Sequence, residues 1–318
     1  MLIFCARRIL LALLLVWAVA SAAFVLIHVA PGDETLVDFW GQAPEVREAA
    51  RRRLGLDQPL AVQYGRWLSG AVRLEFGPSS LYSRPVGALL RERVINTAIL
   101  ATTALILAAV LGIVGGLYAA THTHGPGAWL ARTASVVFLS TPPLLGSLLL
   151  VLVAARTGWL PTGGMSSDSG AAWWARWADL ALHLPVPALA LALPLAATLE
   201  RVQAESLGGL LGQPFMNATR ARGVRERDAV LRHAWPVSLG PVLGLYGLMI
   251  GTLFSGSFVV EVVTAWPGLG RLMVDALRAR DLFLVAGTAA AGAACLAVGT
   301  LLGDLVQAGL DPRIREGR

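Results

Sequence analysis

The sequence contains no lysine, and its charged residues are few. All 26 basic residues are arginines, and charged residues occupy only 14% of the 318 positions, whereas a soluble domain carries about a quarter. Without lysine the chain cannot build the phosphate-binding loop whose lysine contacts the nucleotide phosphates, and it cannot form a lysine Schiff base. The shortage of charge, with 56% hydrophobic residues, indicates a membrane protein whose surface mostly does not face water.

Cysteine and histidine are also scarce. Cys5 precedes the first apolar run and Cys295 lies inside the last, so both are predicted to be inert thiols rather than a disulfide framework. The histidines and cysteines show no zinc-ligand spacing. The sequence also lacks HExxH and GxSxG motifs, paired intramembrane acids, charge rings and repeated filter elements. An integral-membrane enzyme or a passive channel is therefore kept only as the alternative class.

Six apolar segments are candidates to cross a bilayer, for which a helix needs about 20 residues. The sequence therefore predicts an all-α, polytopic membrane protein with six transmembrane helices. The fourth segment is the shortest and contains three prolines, which membrane helices tolerate where neighbouring groups satisfy the freed carbonyls. The predicted spans are 9–30, 96–120, 133–155, 185–199, 239–260 and 283–303.

The first apolar segment could instead be a signal peptide. Arg7 and Arg8 precede it, and residues 18–20 or 21–23 could imitate a cleavage site. The apolar part of a signal peptide is about 7–15 residues long, and this run continues to residue 30. We therefore expect an uncleaved first helix.

The arginines between the spans predict the orientation of the chain, because short cytoplasmic loops are enriched in arginine and lysine. The 200–238 loop holds six arginines, whereas 156–184 holds only two. The three arginines in the 265–282 loop reduce the difference in arginine content on which this orientation rests. The prediction is that both termini are cytoplasmic, together with the 121–132 and 200–238 loops.

Charged residues lie at or near the ends of the predicted spans rather than well inside them. Glu200, Glu261 and Asp304 are the examples. A proton-driven transporter would need a buried relay of ionisable groups, so this class is disfavoured. The protein is expected to be a passive pore or a transporter whose energy enters from elsewhere.

Small residues recur along the fifth span at steps of three or four, largely on one helix face where two backbones can approach closely. This face is predicted either to pack within the chain or to contact another membrane subunit. The residues are Gly240, Gly244, Gly247, Gly251 and Ser255.

The stretch between the fourth and fifth spans predicts two short helices joined by a glycine. Pro214 suits a first helical turn, where its missing N–H costs nothing. Gly223 suits the left-handed position that ends a helix, and 224–235 can form a second helix in which Asp228 and Arg232 are one turn apart. The alternative interpretation is a basic amphipathic hairpin that rests on anionic lipid headgroups.

This stretch resembles the EAA loop of ABC-importer permeases, in which a glycine is followed, after nine residues, by an I-x-L-P-like element. Gly223 and the sequence His-Ala-Trp-Pro ending at Pro236 stand at that separation. Ala218 matches the first alanine of the motif, whereas Asn217 replaces its glutamate and Thr219 its second alanine. The run that ends Arg-Ala-Arg-Gly is similar to the form typical of dipeptide and oligopeptide permeases.

Further segments resemble this branch in the same order along the chain, so the resemblance covers nearly the whole sequence. For the 266–272 segment taken alone, a turn with an interfacial tryptophan is the alternative interpretation. The segments are 31–33, 54–60, 63–68, 158–161, 266–272 with 280–281, and 310–315.

The resemblance implies a type I ABC importer permease in the bacterial inner membrane, forming half of a translocation pathway for peptides or a similar small solute. It implies a heterodimer with a sister permease, two cytoplasmic ATPases and an extracytoplasmic solute-binding protein. It also implies that the chain is not an enzyme and holds no cofactor, since ATP is bound by the partners. Related permeases carry dipeptides, oligopeptides, glutathione, nickel chelates or sugars, so the sequence does not identify the solute.

The same resemblance divides the chain and assigns the coupling residues. Residues 1–95 are expected to form the first transmembrane helix and an extracytoplasmic segment, and 96–318 a five-helix core with a coupling loop at 205–236. The residues expected to couple the permease to the ATPase are Asn217, Ala218, Thr219, Arg220, Ala221, Arg222, Gly223, His233 and Pro236.

Overall fold

The computed structural model describes residues 2–29, 45–46, 48–49, 52, 55, 57–122, 124–167 and 173–310. These residues form α-helices, one π-helical turn and no β-strand. The helices are α1 (Leu2–Val29), α2 (Leu60–Val72), α3 (Val86–Thr121), α4 (Pro126–Ser140), α5 (Pro143–Thr157), α6 (Trp173–His183), α7 (Pro185–Leu211), α8 (Pro214–Ala221), α9 (Glu226–Ala229), the π-turn Val230–Ala234, α10 (Trp235–Val263), α11 (Leu269–Ala279) and α12 (Leu282–Leu310).

Five of the described helical stretches are long and apolar enough to cross a membrane, and α4 with α5 makes a sixth if the two count as one span. The predicted all-α, polytopic architecture is confirmed. The five stretches are Ala6–Val29, Val86–Thr121, Pro185–Leu211, Glu226–Val263 and Leu282–Leu305.

The third predicted span is not one continuous helix. The chain bends by 112° between α4 and α5, in the middle of the 133–155 segment. Pro142 and Pro143 supply no amide hydrogen, and a proline disfavours helical geometry in the residue before it. Thr141 is accordingly extended, with ψ 110°. The predicted third span is therefore divided between two helices, which the sequence analysis did not foresee because apolar content alone does not report a helix break.

The fourth span is longer than predicted and contains a charge. Helix α7 runs from Pro185 to Leu211 with Pro194 inside it, so Glu200 lies near the middle of the helix rather than at its end. The Glu200 side chain is buried, with 6% of its surface exposed. The expectation that no charge lies well inside a span was therefore wrong here, because the polar residues after 199 end the apolar run but not the helix.

The described residues form two compact units, one within 99–266 and 299–310 and the other within 2–98 and 267–298. In the first unit, α7 supplies much of the core, and its Leu191 and Leu199 cluster with Leu253 of α10 and with Trp266. Trp266 is fully buried, so the alternative of an interfacial tryptophan anchor is wrong. In this unit one position of the small-residue face of α10 packs within the chain, because a Cβ on Gly303 would lie 3.1 Å from Gly247 Cα, whereas Gly240 and Ser255 of the same face are exposed.

The second unit contains α1, α2, the part of α3 up to residue 98, α11, and the part of α12 up to residue 298. Phe24 and Trp67 lie in one apolar cluster, with ring centroids 5.2 Å apart. The buried Asp281 carboxylate accepts a hydrogen bond from Ser79 Oγ at 2.6 Å and another from the Leu284 N–H at 2.9 Å. This carboxylate therefore ties the start of α12 to the 79–85 turn.

Candidate functional site

The 214–236 segment (α8, Gly223, α9, the π-turn and Pro236) has the helix–glycine–helix form predicted from the sequence. Pro214 is the first residue of α8, after Gln213 in extended geometry. Gly223 has φ +79°, and a Cβ added to it would have no neighbouring atom within 4 Å. The glycine is therefore required by backbone geometry and not by crowding, because left-handed φ values are disfavoured for residues with a side chain.

The second helix differs in detail from the prediction. It begins at Glu226, because Arg225 is extended with ψ 141°. A π-turn at Val230–Ala234 then leads into α10, and the Trp235 N–H bonds to the Val230 carbonyl five residues back. Pro236 follows at once and supplies no amide hydrogen. The predicted one-turn pairing of Asp228 with Arg232 is present, with an Oδ1–Nε distance of 3.7 Å.

One face of the 214–236 segment is anchored in the first unit. Met216 of α8 is fully buried. It belongs to an apolar cluster with Leu207 of α7, Ala120 of α3, and Ala229 and Ala234 of the 214–236 segment itself. The position of α8 against α7 is therefore set by apolar packing.

The other face is open and holds most of the residues that the sequence predicts to be functional. Thr219 is partly buried, and its hydroxyl donates to the Phe215 carbonyl at 2.8 Å, which is a local helical bond. The remaining predicted residues are exposed in the chain, namely Asn217, Ala218, Arg220, Ala221, Arg222, Gly223, His233 and Pro236.

Arg220 joins the two helices across the glycine. Its Nε donates to Glu226 Oε2 at 2.8 Å and its Nη2 to Glu226 Oε1 at 2.6 Å. Its Nη1 also donates to Asn217 Oδ1 at 3.2 Å. The hydrogen bonds to Glu226 raise the pKa of the Arg220 guanidinium. A bidentate arginine–carboxylate pair constrains direction as well as distance, so it adds to the apolar packing of Met216 with Ala229 a constraint on the angle between α8 and α9.

Glu226 and Met216 were missed by the sequence analysis. Glu226 stands six residues after Arg220, a spacing at which two side chains do not meet in either a helix or a strand, so only the turn at Gly223 brings the two together. Met216 could have been found as the large apolar residue on the inner face of a short amphipathic helix. In the part of the chain that the structure describes, no cluster of three or more His, Cys, Asp or Glu side chains could hold a metal ion.

Comparison with known proteins identifies the family. Residues 112–316 match the family described as the binding-protein-dependent transport system inner membrane component, and residues 1–80 match the N-terminal family of the same membrane component. The chain belongs to this family. It is a permease subunit of an ABC importer, a multi-pass protein of the inner membrane, and it works with an ATPase and a solute-binding protein. The predicted type I permease fold is confirmed, and the channel and enzyme alternatives find no support.

Individual relatives align along nearly their whole lengths. A protein of Brucella ovis named as a peptide permease is 33% identical over 325 residues, which cover 99% of each chain. The glutathione transport system permease protein of Escherichia coli (strain K12) is 33% identical over 299 residues, covering 93% of this chain and 94% of the relative.

Proposed function

We propose that the 214–236 segment is the surface through which the partner ATPase drives this permease. The observation that carries the proposal is the division of the segment into two faces. Met216 anchors one face to α7, while Ala218, Ala221 and Arg222 are exposed on the other. A partner that pushes on the open face would move α7 and α10 with it, since the segment is continuous with both helices.

The proposal includes the partners and the solute. The permease pairs with a sister subunit, two ATPases and an extracytoplasmic binding protein, and it imports a peptide or a glutathione-like solute, in keeping with the names of its relatives. ATP binds to the partner subunits, because this chain has no lysine for a phosphate-binding loop. The chain itself is neither an enzyme nor a cofactor carrier, and the pure subunit should not hydrolyse ATP.

Site-specific photo-crosslinking in the assembled transporter tests the coupling surface. A photoreactive amino acid at Ala221 or Arg222 should capture the ATPase. The same amino acid at Trp159, which is 83% exposed between α5 and α6, should not capture it. Equal capture at both places, or capture of lipid alone at Ala221 and Arg222, would reject the proposed docking surface in favour of a hairpin that rests on headgroups.

The orientation of the chain is part of the proposal and has its own test. Arginine in short loops favours cytoplasmic termini, and the coupling role requires the 214–236 segment to be on the cytoplasmic side. Reporter fusions within 121–132, within 205–235 and after Arg318 should be cytoplasmic, whereas fusions within 40–90 should be periplasmic. A periplasmic reporter in the 205–235 loop would overturn the orientation and the coupling role together.

A further inference from the structure

Glu200 is a buried carboxylate near the middle of α7, and its hydrogen-bond partner is a neutral side chain. Glu200 is 15 residues from the first residue of α7 and 11 from the last, and Ser135 Oγ of α4 donates to its Oε2 at 2.6 Å. Among the described residues no arginine forms an ion pair with Glu200. A charge inside a membrane span is costly and normally faces a polar partner, a cavity or a transport path.

Glycines on α3 allow α7 to approach α3 closely at the level of Glu200. A Cβ on Gly112 would lie 2.5 Å from Leu199 Cβ, and one on Gly116 would lie 2.7 Å from the Glu200 carbonyl oxygen. A Cβ on Gly115 would lie 3.3 Å from Glu200 Cγ. Helix α7 therefore packs closely against the backbone of α3 at this level, which places Glu200 between α3 and α4.

Glu200 also lines a cavity of about 500 Å³ between α3, α4 and α7. The other charged residues that line the cavity are Arg132, Arg201 and Glu205, which are all exposed, so the lining carries charges of both signs. A volume of this size is typical of small-molecule sites. Gly208 also lines the cavity and directly follows Leu207, which packs in the same cluster as Met216. The cavity therefore adjoins the anchored face of the 214–236 segment.

We infer that this cavity is a solute subsite of the transport pathway, in which Glu200 binds the ammonium group of a zwitterionic solute and Arg132 and Arg201 bind its carboxylate. Ser135 is a positioning residue that orients the Glu200 carboxylate through the 2.6 Å hydrogen bond. The inference rests on the proposed import of a peptide-like solute and adds the place at which its charged ends are recognised.

The test measures how charged reagents enter the cavity of the purified, complete transporter in lipid nanodiscs. Ala204, which lines the cavity, is replaced by cysteine after Cys5→Ser and Cys295→Ser. A cationic and an anionic methanethiosulfonate reagent then label Ala204→Cys, and the ratio of the two rates reports the local potential. A charge that lines a cleft concentrates ions of the opposite sign there. Glu200→Gln should therefore lower the ratio of cationic to anionic labelling rates by about tenfold, and Arg201→Gln should raise it.

The second arm tests occupancy with a defined probe. Excess dialanine should slow the labelling of Ala204→Cys, whereas N-acetyl-dialanine amide, which lacks both terminal charges, should not. Glu200→Gln should abolish the protection while retaining the hydrogen bond from Ser135, since the glutamine amide oxygen also accepts. Elution of the variant complex as a single species excludes misfolding as the cause.

Three results would overturn the inference. The first is a rate ratio that Glu200→Gln leaves unchanged, and the second is equal protection by both peptides. The third is protection that follows added phosphatidylethanolamine and not dialanine, because the same pair of charges would then belong to a lipid headgroup. The measurement uses no ATP, so its failure is distinguishable from failure of the coupling surface, which only the crosslinking experiment reports.

Discussion

Arg220 and Glu226 form a bidentate ion pair across Gly223, with N–O distances of 2.8 Å and 2.6 Å. Both side chains are exposed, so the pair contributes little to the burial that holds the fold. Its geometric effect is larger, since it connects the last turn of α8 to the first turn of α9. Together with the packing of Met216 against α9, it constrains the direction in which the exposed face points.

Breaking this pair should impair coupling while the protein remains folded. Arg220→Gln or Glu226→Gln should leave the amount of assembled transporter unchanged, because exposed ion pairs add little stability. ATP-driven uptake by proteoliposomes should fall roughly tenfold, within the usual range of coupling between sites. The double variant Arg220→Glu with Glu226→Arg should recover part of the loss. Reversal of the looser Asp228–Arg232 pair is the control, and an equal defect there would show that net charge matters and geometry does not.

Gly223 and Gly125 provide a matched comparison of two left-handed glycines. Their φ angles are +79° and +107°, and neither has an atom within 4 Å of an added Cβ. Valine at either site should cost about 1 kcal/mol or more of backbone strain. Only Gly223→Val should abolish uptake and the stimulation of ATP hydrolysis by loaded binding protein. Gly223→Asn should retain more activity, since asparagine tolerates this geometry. Wild-type uptake by Gly223→Val would remove the segment from the mechanism.

Met216 should decide whether α8 stays attached to α7. Truncating this fully buried side chain with Met216→Ala should cost about 2–5 kcal/mol of local packing. Brief trypsin digestion of the membrane-embedded complex should then cut faster at Arg222 and Arg225. Phe215→Ala removes a neighbouring side chain that is 38% exposed and should leave the cleavage rate near that of the wild type. Equal cleavage of the two variants would contradict the anchoring role.

The contact between α3 and α7 should be intolerant of a methyl group at Gly112. The added Cβ would lie 2.5 Å from Leu199 Cβ and 2.8 Å from the Ala196 carbonyl oxygen, so the helices must separate. We expect Gly112→Ala to destabilise the purified complex by roughly 1–3 kcal/mol, measured as a lower melting temperature. Gly208→Ala, in the lining of the cavity where an added Cβ would have no atom within 4 Å, should be neutral or stabilising. A melting temperature unchanged by Gly112→Ala would mean that α3 and α7 do not pack this closely.

The sequence by itself determined the features that depend on neighbouring residues. Its apolar runs are long enough to require membrane spans, and the proline at 214 and the glycine at 223 require a helix start and a left-handed turn at those positions. The family motif is local in the same sense, because its residues lie within a single stretch of the chain. These features were predicted correctly for this reason.

Tertiary structure alone decided the features that join distant parts of the chain. Glu200 is buried because Ser135, 65 residues earlier, lies beside it and because the glycines of α3 allow α7 to pack closely. The apolar pattern around residue 200 contains none of this information. The 112° bend after Thr141 was hidden because hydropathy does not distinguish a proline-broken helix from a straight one. The physical reason is the same in each case, since backbone preferences belong to a segment, whereas burial and ion pairing depend on which segments pack together.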